Sequence, residues 1–156
     1  MEKLDKQLCP FCHKSTLTVL EEEKKFSNNK AFLFSMDCSN CEYKENDIEL
    51  ETKKESKIEL EIKSERDLKN KVIASSEAKI KIPELRMDLV KSGIFSIKEI
   101  ILEFKKILEE ERDSAEDQIA RKKAKNLLKK LWKFECGDLK FRIQLEDKSG
   151  NSMFDK

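Results

Sequence analysis

The amino-acid sequence predicts an α+β fold in which a small N-terminal module packs on a larger β-rich domain that carries an inserted α-helical hairpin. Three observations predict this arrangement. Two close pairs of cysteines lie within the first 41 residues, and short runs of alternating apolar residues follow them. From about residue 96 to 135, apolar residues recur at three- and four-residue steps. We assign residues 1–46 to the N-terminal module and residues 47–156 to the β-rich domain.

The N-terminal module contains Cys9-Pro10-Phe11-Cys12 and Cys38-Ser39-Asn40-Cys41, with 25 residues between the two motifs. A two-residue spacer lets each pair form a tight turn, or knuckle, whose sulfurs approach a metal ion from one side. Four thiolates complete the tetrahedral coordination of Zn²⁺, so Cys9, Cys12, Cys38 and Cys41 are the predicted ligands of one structural zinc ion. The alternative interpretation is two unrelated redox or surface dithiols.

Between the knuckles, apolar residues alternate with more polar ones, as in two half-buried strands. These residues are Leu17 and Val19 in the first strand and Phe32, Phe34 and Met36 in the second. A turn at Ser27-Asn28-Asn29 joins them into a hairpin that returns one knuckle to the other, which is the geometry of a zinc ribbon. His13 follows a complete set of thiolates, so we expect it to serve the turn and not the metal.

Composition restricts the class of protein. Of 156 residues, 33 are Lys or Arg and 32 are Asp or Glu, a balance that argues against a nucleic-acid footprint over the whole surface. The sequence has no apolar run of the roughly eighteen residues that a membrane span needs. Four of the five cysteines form close pairs, which is typical of metal ligation in a reducing compartment. We expect a cytoplasmic protein without a membrane segment, in which Cys136 is buried or incidental.

From Asp47 onward, short alternating runs predict strands with a core separate from the ribbon. The runs are Ile48/Leu50, Ile58/Leu60/Ile62, Ala78/Ile80/Ile82, Leu85/Met87/Leu89 and, after the helical region, Leu139/Phe141/Ile143/Leu145. Asp67-Leu68-Lys69-Asn70 is expected to be a loop, and Gly93 is expected to close the strand region. Pro83 should mark a strand end, a bulge or an edge, because proline cannot donate a hydrogen bond to a β-ladder.

A helical hairpin is predicted at about residues 96–135. Ser96-Ile97-Lys98-Glu99 has the spacing of a capping box, and Gly137 is placed to end the second helix. The apolar residues of each helix share one face. They are Ile97, Ile100, Ile101, Phe104, Ile107 and Leu108 in the first helix, and Ala120, Ala124, Leu127, Leu128 and Leu131 in the second.

The hairpin has an uneven distribution of charge. Positions 121–133 carry seven basic residues and no acidic one, whereas positions 109–117 carry six acidic residues and one basic residue. A basic run can bind phosphates, but basic residues toward a helix C-terminus and acidic ones near its start also suit the helix macrodipole. Because aromatic residues do not alternate with the basic ones, a solvated face is the favoured interpretation over a nucleic-acid patch.

The last predicted strand leads into Asp147-Lys148-Ser149-Gly150-Asn151-Ser152. Residues of these types predict a tight turn in which Gly150 takes a positive φ. In such a turn, the side chain of Asp147 or Asn151 hydrogen-bonds to the local backbone.

Four motifs occur in one order along the chain. They are Cys9-Pro10-Phe11-Cys12, the segment Cys38-x2-Cys41-x-Tyr43-Lys44, the stretch SEAKIKIPEL from Ser76 to Leu85, and the terminal LEDKSGNS. Together they resemble the ZPR-type zinc-finger proteins, in particular a single-module, archaeal-like member, whereas eukaryotic members have two modules in tandem. The resemblance implies a four-cysteine zinc ribbon coupled to a β-rich, double-stranded β-helix-like domain with a helical hairpin.

The same resemblance implies a protein-interaction function. It implies binding of translation elongation factor 1-alpha and assistance with the folding or assembly of that factor. Side chains such as Phe26 and Phe32 would face the partner, with packing onto the β-rich domain as the alternative for both residues. The alternative function is a zinc-ribbon nucleic-acid-binding protein of the transcription or ribosome-associated kind, which would use the basic helix at 121–133.

Enzymatic functions are disfavoured by the sequence. A dithiol oxidoreductase needs a free thiolate of low pKa, which four zinc-bound cysteines would not provide. Gly93, Gly137 and Gly150 are far apart and form no phosphate-binding loop. One histidine is too few for an open catalytic zinc site of the usual histidine-rich kind. We therefore expect a protein that is not an enzyme.

Overall fold

The fold combines antiparallel sheets with a pair of long helices. The computed structural model describes residues 2–26 and 28–156. Within these residues the strands are β1 (Glu2–Gln7), β2 (Leu17–Phe26), β3 (Asn29–Cys38), β4 (Lys44–Leu50), β5 (Lys57–Ile62), β6 (Lys71–Ala74), β7 (Lys79–Ile82), β8 (Met87–Val90), β9 (Gly93–Ser96), β10 (Phe141–Glu146) and β11 (Met153–Asp155). The helices are α1 (Ile97–Ser114) and α2 (Gln118–Glu135), with short 3₁₀ helices at Glu65–Lys69 and Pro83–Leu85. The α+β class and the helical hairpin at about 96–135 are confirmed.

The first sheet has the strand order β1-β2-β3-β4, and all neighbouring strands are antiparallel. The predicted hairpin of the ribbon consists of β2 and β3, in which Phe26 pairs with Asn29. Asn28 is a turn residue, whereas Ser27 of the predicted turn lies outside the described residues. The strand β4 runs across position 46, where the sequence predicts the domain boundary, so the whole of this strand extends the first sheet.

One face of the first sheet packs on the β-rich domain. Residues directly opposite each other in an antiparallel ladder share a face, and Ala31 pairs with Leu50 while Leu33 pairs with Ile48. The joining cluster, as we call it, consists of buried Ala31, Ile48, Leu50, Ile73 and Met153, with Phe26, Leu33 and Ile94 packed against it. The strand predicted at Ile48 and Leu50 is confirmed, but these residues contact both parts of the molecule. Of the alternatives for Phe26, packing is the one observed.

Two further sheets, in the orders β5-β10-β7-β8 and β11-β6-β9, surround the main core. Alternation along the strands directs every second side chain of β7 and β10 into this core. The helix α1 contributes buried Ile97, Ile100, Ile101, Phe104 and Leu108. The helix α2 adds Leu131 and Phe134, and the Phe134 ring stacks on Phe141 of β10 with 4.5 Å between ring centroids. Most of the predicted apolar face of the hairpin therefore packs into the core, whereas Ala120 at the start of α2 is exposed.

Four local predictions for the β-rich domain are wrong. Leu85 lies in a 3₁₀ helix that begins at Pro83, since this proline ends β7 as predicted. Gly93 opens strand β9 and does not close the strand region. Leu139 precedes β10, because its amide bonds to the end of α2. The loop expected at Asp67–Asn70 is largely the 3₁₀ helix Glu65–Lys69, whose Leu68 is buried.

Both helices of the hairpin begin with a side-chain cap. Ser96 Oγ accepts a hydrogen bond from Glu99 N at 3.1 Å, which confirms the predicted cap of α1. Asp117 Oδ1 accepts one from Ala120 N at 2.8 Å at the start of α2. Among the described residues, no helix has both the length and the apolar character that crossing a membrane requires.

Gly137 and Gly150 both have left-handed backbone conformations, with φ values of +79° and +72°. Gly137 ends α2 as predicted, and the next amide, Asp138 N, donates to Lys133 O at 2.9 Å. A Cβ atom at position 137 would meet its nearest contacts at 3.5 Å. At position 150 it would lie 2.6 Å from the carbonyl oxygen of Lys54, which is too close for any carbon atom. The space around the two glycines therefore differs although their conformations are alike.

We expect Gly150→Ala to lower the free energy of unfolding by about 3 kcal/mol and Gly137→Ala to lower it by about 1 kcal/mol. Both variants carry the cost of a left-handed alanine, but only the first also displaces the backbone at Lys54. Urea denaturation followed by Trp132 fluorescence would measure both losses. Equal losses in the two variants would contradict the close contact at position 150.

Candidate metal centre

The four predicted ligands lie at the ends of strands in the first sheet. Cys9 and Cys12 occupy the turn between β1 and β2, Cys38 is the last residue of β3, and Cys41 precedes β4. Leu17 pairs with Cys38 at the end of the β2–β3 ladder, which sets the two knuckles side by side. The register of the hairpin thus brings together cysteines up to 32 positions apart.

Backbone hydrogen bonds shape the first knuckle. Cys9 N donates to Lys14 O at 2.9 Å, and His13 N donates to Cys9 O at 2.9 Å. His13 has a φ of +60°, a conformation that histidine adopts more readily than most residues with a side chain. The turn role predicted for His13 is confirmed, and the cluster of candidate ligands in the described chain consists of the four cysteines.

The four sulfurs have the spacing of a tetrahedral metal site. The Sγ atoms of Cys9 and Cys41 are 3.8 Å apart, and those of Cys12 and Cys38 are 3.7 Å apart. All four lie within 4.8 Å of one another. Zn–S bonds of about 2.3 Å give a sulfur–sulfur edge of about 3.8 Å in a regular tetrahedron, whereas a disulfide holds its sulfurs at about 2.05 Å. These residues can therefore hold a metal ion, and their spacing and softness fit zinc.

The charge state of the sulfurs depends on their neighbours. Thr16 Oγ1 lies 3.1 Å from Cys38 Sγ, and this hydrogen bond is the largest of several that outweigh burial and lower the pKa of Cys38 to about 6. At Cys41 the backbone N–H of Tyr43 lowers the pKa, but burial and the neighbouring sulfurs outweigh that bond and raise the pKa to about 12. Thiolates this close repel one another, and a divalent cation among them would relieve the repulsion.

The surroundings of the sulfurs are closed on one side and exposed on the other. Cys9 and Cys38 are 0% and 4% exposed, and they form a small buried cluster with Leu17. Phe11, at the tip of the first knuckle, is 75% exposed. So small a cluster buries little apolar surface, and a bound metal would supply the stability that this end of the sheet lacks.

Cys136, the fifth cysteine, lies apart from this cluster. It is the half-buried residue that ends α2, and its thiol is free. Burial and the nearby carboxylates, of which Asp138 is the first, raise the pKa of Cys136. A thiol of raised pKa is a poor nucleophile, which fits the prediction that Cys136 is buried or incidental.

A buried carboxylate organises the predicted turn near the C-terminal end of the sequence. Asp147 is 3% exposed, and its Oδ1 accepts hydrogen bonds from Ser149 N at 2.9 Å and Ser149 Oγ at 2.6 Å, as the turn prediction requires. Its Oδ2 accepts from Ser152 Oγ at 2.5 Å and Ser75 Oγ at 2.6 Å. Burial raises the pKa of Asp147, but these hydrogen bonds outweigh burial and leave it below its usual value. The sequence did not reveal Ser75, which lies 72 positions away.

Asn151 connects the same turn to the first sheet. Its Oδ1 accepts a hydrogen bond from Leu50 N at 3.1 Å, across 101 positions. Beside it, Lys54 N donates to Gly150 O at 2.8 Å. The terminal turn, which belongs to the LEDKSGNS motif, therefore lies where the first sheet meets the β-rich domain.

A cavity of about 440 Å³ lies between α1 and α2. Its apolar lining includes Leu128, Leu131 and Trp132, and Trp132 is 60% exposed. Its charged lining consists of Lys105, Glu109, Arg112, Lys125, Lys129 and Glu135. The basic run at 121–133 thus contains an exposed aromatic residue, which the sequence interpretation did not weigh.

A comparison with known families identifies the β-rich domain. The model of the ZPR1 jelly-roll domain matches residues 66–156, which include both helices, β6 to β11 and the Asp147 turn. No curated protein matches the chain. The matched segment is more than half of the chain, and it follows a four-cysteine cluster of the kind that the resemblance implies. The chain belongs to the ZPR1 jelly-roll family.

Proposed function

We propose that this protein is a zinc-stabilised interaction module that binds translation elongation factor 1-alpha and assists the folding or assembly of that factor. The observation that carries the proposal is the tetrahedral spacing of four free thiols in a chain whose residues 66–156 match the ZPR1 jelly-roll domain. The resemblance of the ordered motifs to ZPR-type zinc-finger proteins supports the identity of the partner. Close cysteine pairs that ligate a metal are typical of a reducing compartment, and we propose a cytoplasmic location on that ground.

Zinc in this proposal is structural and the protein is not an enzyme. Four thiolates fill the coordination of Zn²⁺ and leave no open position for water or substrate. The metal would fix the two knuckles and expose Leu8 and Phe11, which are apolar and lie on the surface beside the ligands. Exposed apolar side chains on a rigid turn suit protein recognition, because little conformational entropy is lost when they bind.

Tagged wild-type protein and Cys38→Ser should be compared in pull-downs with purified translation elongation factor 1-alpha, with GDP or GTP present. We expect the wild type to retain the factor and Cys38→Ser to retain at least about tenfold less, since the knuckles would lose their shape without zinc. Cys136→Ser is the matched control and should behave as the wild type. Absence of the factor from the wild-type eluate at low salt with either nucleotide would overturn the proposed partner.

The second candidate is nucleic-acid binding by α2. The observation that favours it is Trp132, which is exposed beside Lys125 and Lys129 and offers a stacking surface next to positive charge. Against it, Glu109 and Glu135 line the same cavity and would repel phosphates. Nuclease treatment of the pull-down separates the candidates, because only retention through RNA or DNA would be lost with the nucleic acid.

A further inference from the structure

The ladder register divides the first sheet into two faces of different chemistry. On β3, Ala31 and Leu33 belong to the face that packs on the β-rich domain through the joining cluster. Because side chains alternate, Phe32, Phe34 and Met36 belong to the opposite face, which we call the outward face. All three are half-buried. The outward face thus has an apolar stripe along its central hairpin strand, ending at Cys38 of the candidate metal centre.

Carboxylates border this stripe on both sides. In β2, Glu21 pairs with Phe34 and Glu23 pairs with Phe32. In β4, Glu49 pairs with Phe32, Asp47 with Phe34 and Glu45 with Met36. Directly paired residues share a face, so each of the three apolar side chains lies beside one or two acidic ones.

Some of these acids already have partners within the chain. Glu23 forms an ion pair with Lys30 at 3.3 Å, and Tyr43 Oη donates to Glu45 Oε2 at 2.5 Å. Asp47 accepts from Ser76 N at 3.0 Å. Glu21 and Glu49 are the acids that flank the middle of the stripe on either side. The basic residues of this face, Lys25 and Lys30, pair with each other near the hairpin turn, away from the cysteines.

A loaded metal centre would extend the negative field. Four thiolates on one divalent ion carry a net charge of about −2, and Cys38 shares the outward face with Met36. The face therefore combines an apolar centre, an acidic border and an acidic end. The basic run of α2 lies on the helical hairpin, and the two lysines of the outward face lie at its far end from the cysteines.

We propose that the outward face docks a basic surface of a protein partner, in which Lys or Arg side chains flank an apolar one. The apolar side chain would cover Phe32 and Phe34, and the basic groups would reach Glu21 and Glu49. Apolar contact at the centre with charge complementarity at the border is the common anatomy of specific interfaces. Nucleic acids and anionic membranes do not suit this face, because its acidic border would repel their phosphates. The inference rests on the proposed function as a protein-binding module and names the chemistry of one binding surface.

The test is the double variant Glu21→Lys/Glu49→Lys. Its matched control is Glu110→Lys/Glu111→Lys on the exposed side of α1, which changes the net charge equally and leaves the outward face intact. Binding is measured to purified translation elongation factor 1-alpha and to a synthetic amphipathic peptide of Leu and Lys. Reversing both charges should weaken binding at least about tenfold, and the control should change it less than about threefold. Wild-type affinity should fall as salt is raised from about 0.05 to 0.5 M.

Each outcome has a separate meaning for the two proposals. Equal binding of the factor by wild type, variant and control would overturn the docking surface and leave the proposed function in place. If the wild type binds the Leu/Lys peptide but not the factor, and the double lysine variant loses peptide binding, the docking surface is supported and the proposed partner is overturned. No binding to either probe would overturn both. A wild-type dimer that the variant dissociates in analytical ultracentrifugation would overturn the proposal in favour of a second copy.

A neutral variant separates the loss of charge from misfolding caused by the introduced lysines. Glu21→Gln/Glu49→Gln removes the negative charges without placing lysines between the strands, and it should bind with intermediate affinity. Zinc content and thermal denaturation of all variants show whether the sheet remains folded. The docking surface would be overturned if the neutral variant is folded, binds the probes as tightly as the wild type, and binds them with an affinity that does not change with salt.

Discussion

Replacement of Cys38 by Ser should abolish tight zinc binding and unfold the zinc end of the first sheet, while the jelly-roll core stays folded. Cys38 supplies one of the four sulfurs and belongs to a buried cluster with Cys9 and Leu17, which cannot hold this end of the sheet by apolar burial alone. Structural zinc in small modules contributes about 10–16 kcal/mol of apparent folding free energy. Zinc content after dialysis and amide hydrogen exchange along β2 and β3 measure the effect.

The control for this experiment is Cys136→Ser, which removes a free thiol outside the cluster. It should keep the wild-type zinc content and exchange rates. In Cys38→Ser the loss of protection should be graded along β3, with fast exchange near Cys38 and slower exchange near Ala31, which the joining cluster holds. A Cys38→Ser protein that retains about one tightly bound zinc per chain would contradict the assigned ligand set.

Asp147→Asn should destabilise the β-rich domain by about 2–4 kcal/mol, since hydrogen bonds to a buried charge contribute about 1.5–3 kcal/mol each and the new amide meets hydroxyls arranged as donors. The Asp147 carboxylate accepts from Ser75, Ser149 and Ser152, and two of these partners are themselves buried. Asn keeps the volume of Asp, so the loss reports the hydrogen bonds and not a cavity. Urea denaturation at neutral pH measures it.

The effect of Asp147→Asn should depend on pH. The folded protein holds the pKa of Asp147 below its usual value, so the carboxylate contributes stability that is fully present above the unfolded pKa of about 3.9 and is lost as pH falls through the folded pKa. The difference between wild type and variant should therefore narrow below about pH 4. Asp138→Asn, at an exposed position, is the matched control and should change stability little. A constant difference down to pH 2 would contradict the role of ionised Asp147.

Local sequence signals predicted the features that depend on neighbouring residues. The C-x2-C spacing fixes each knuckle, and a positive φ at His13 follows from the turn itself. The capping-box spacing predicts Ser96 as the cap of α1, and the place of Gly137 after the second helix predicts that it ends α2; the structure has a side-chain cap and a left-handed glycine at these positions. The caps and turns were accessible because their hydrogen bonds join residues a few positions apart.

Features that depend on contacts between distant residues could not be predicted from the local sequence pattern. The strand β6 is a short run, Lys71–Ala74, whose last three residues are all buried, so it lacks the alternation that marks a half-buried strand. The membership of β4 in the first sheet depends on pairing with β3 and on the joining cluster. Ser75 became part of the Asp147 site through a contact over 72 positions. Tertiary packing determines which distant strands and side chains come into contact, and the local periodicity of the sequence carries no information about it.

The bonds from Leu50 N to Asn151 and from Lys54 N to Gly150 have a consequence for the order of events during synthesis. The cysteine knuckles leave the ribosome before residues 150–153 and can bind zinc while those residues are still being made. The contact between the first sheet and the β-rich domain is incomplete until residues 150–153 have emerged, because Asn151 and Met153 supply part of it. A nascent chain stalled before residue 150 should therefore display a metal-loaded ribbon that is tethered but undocked.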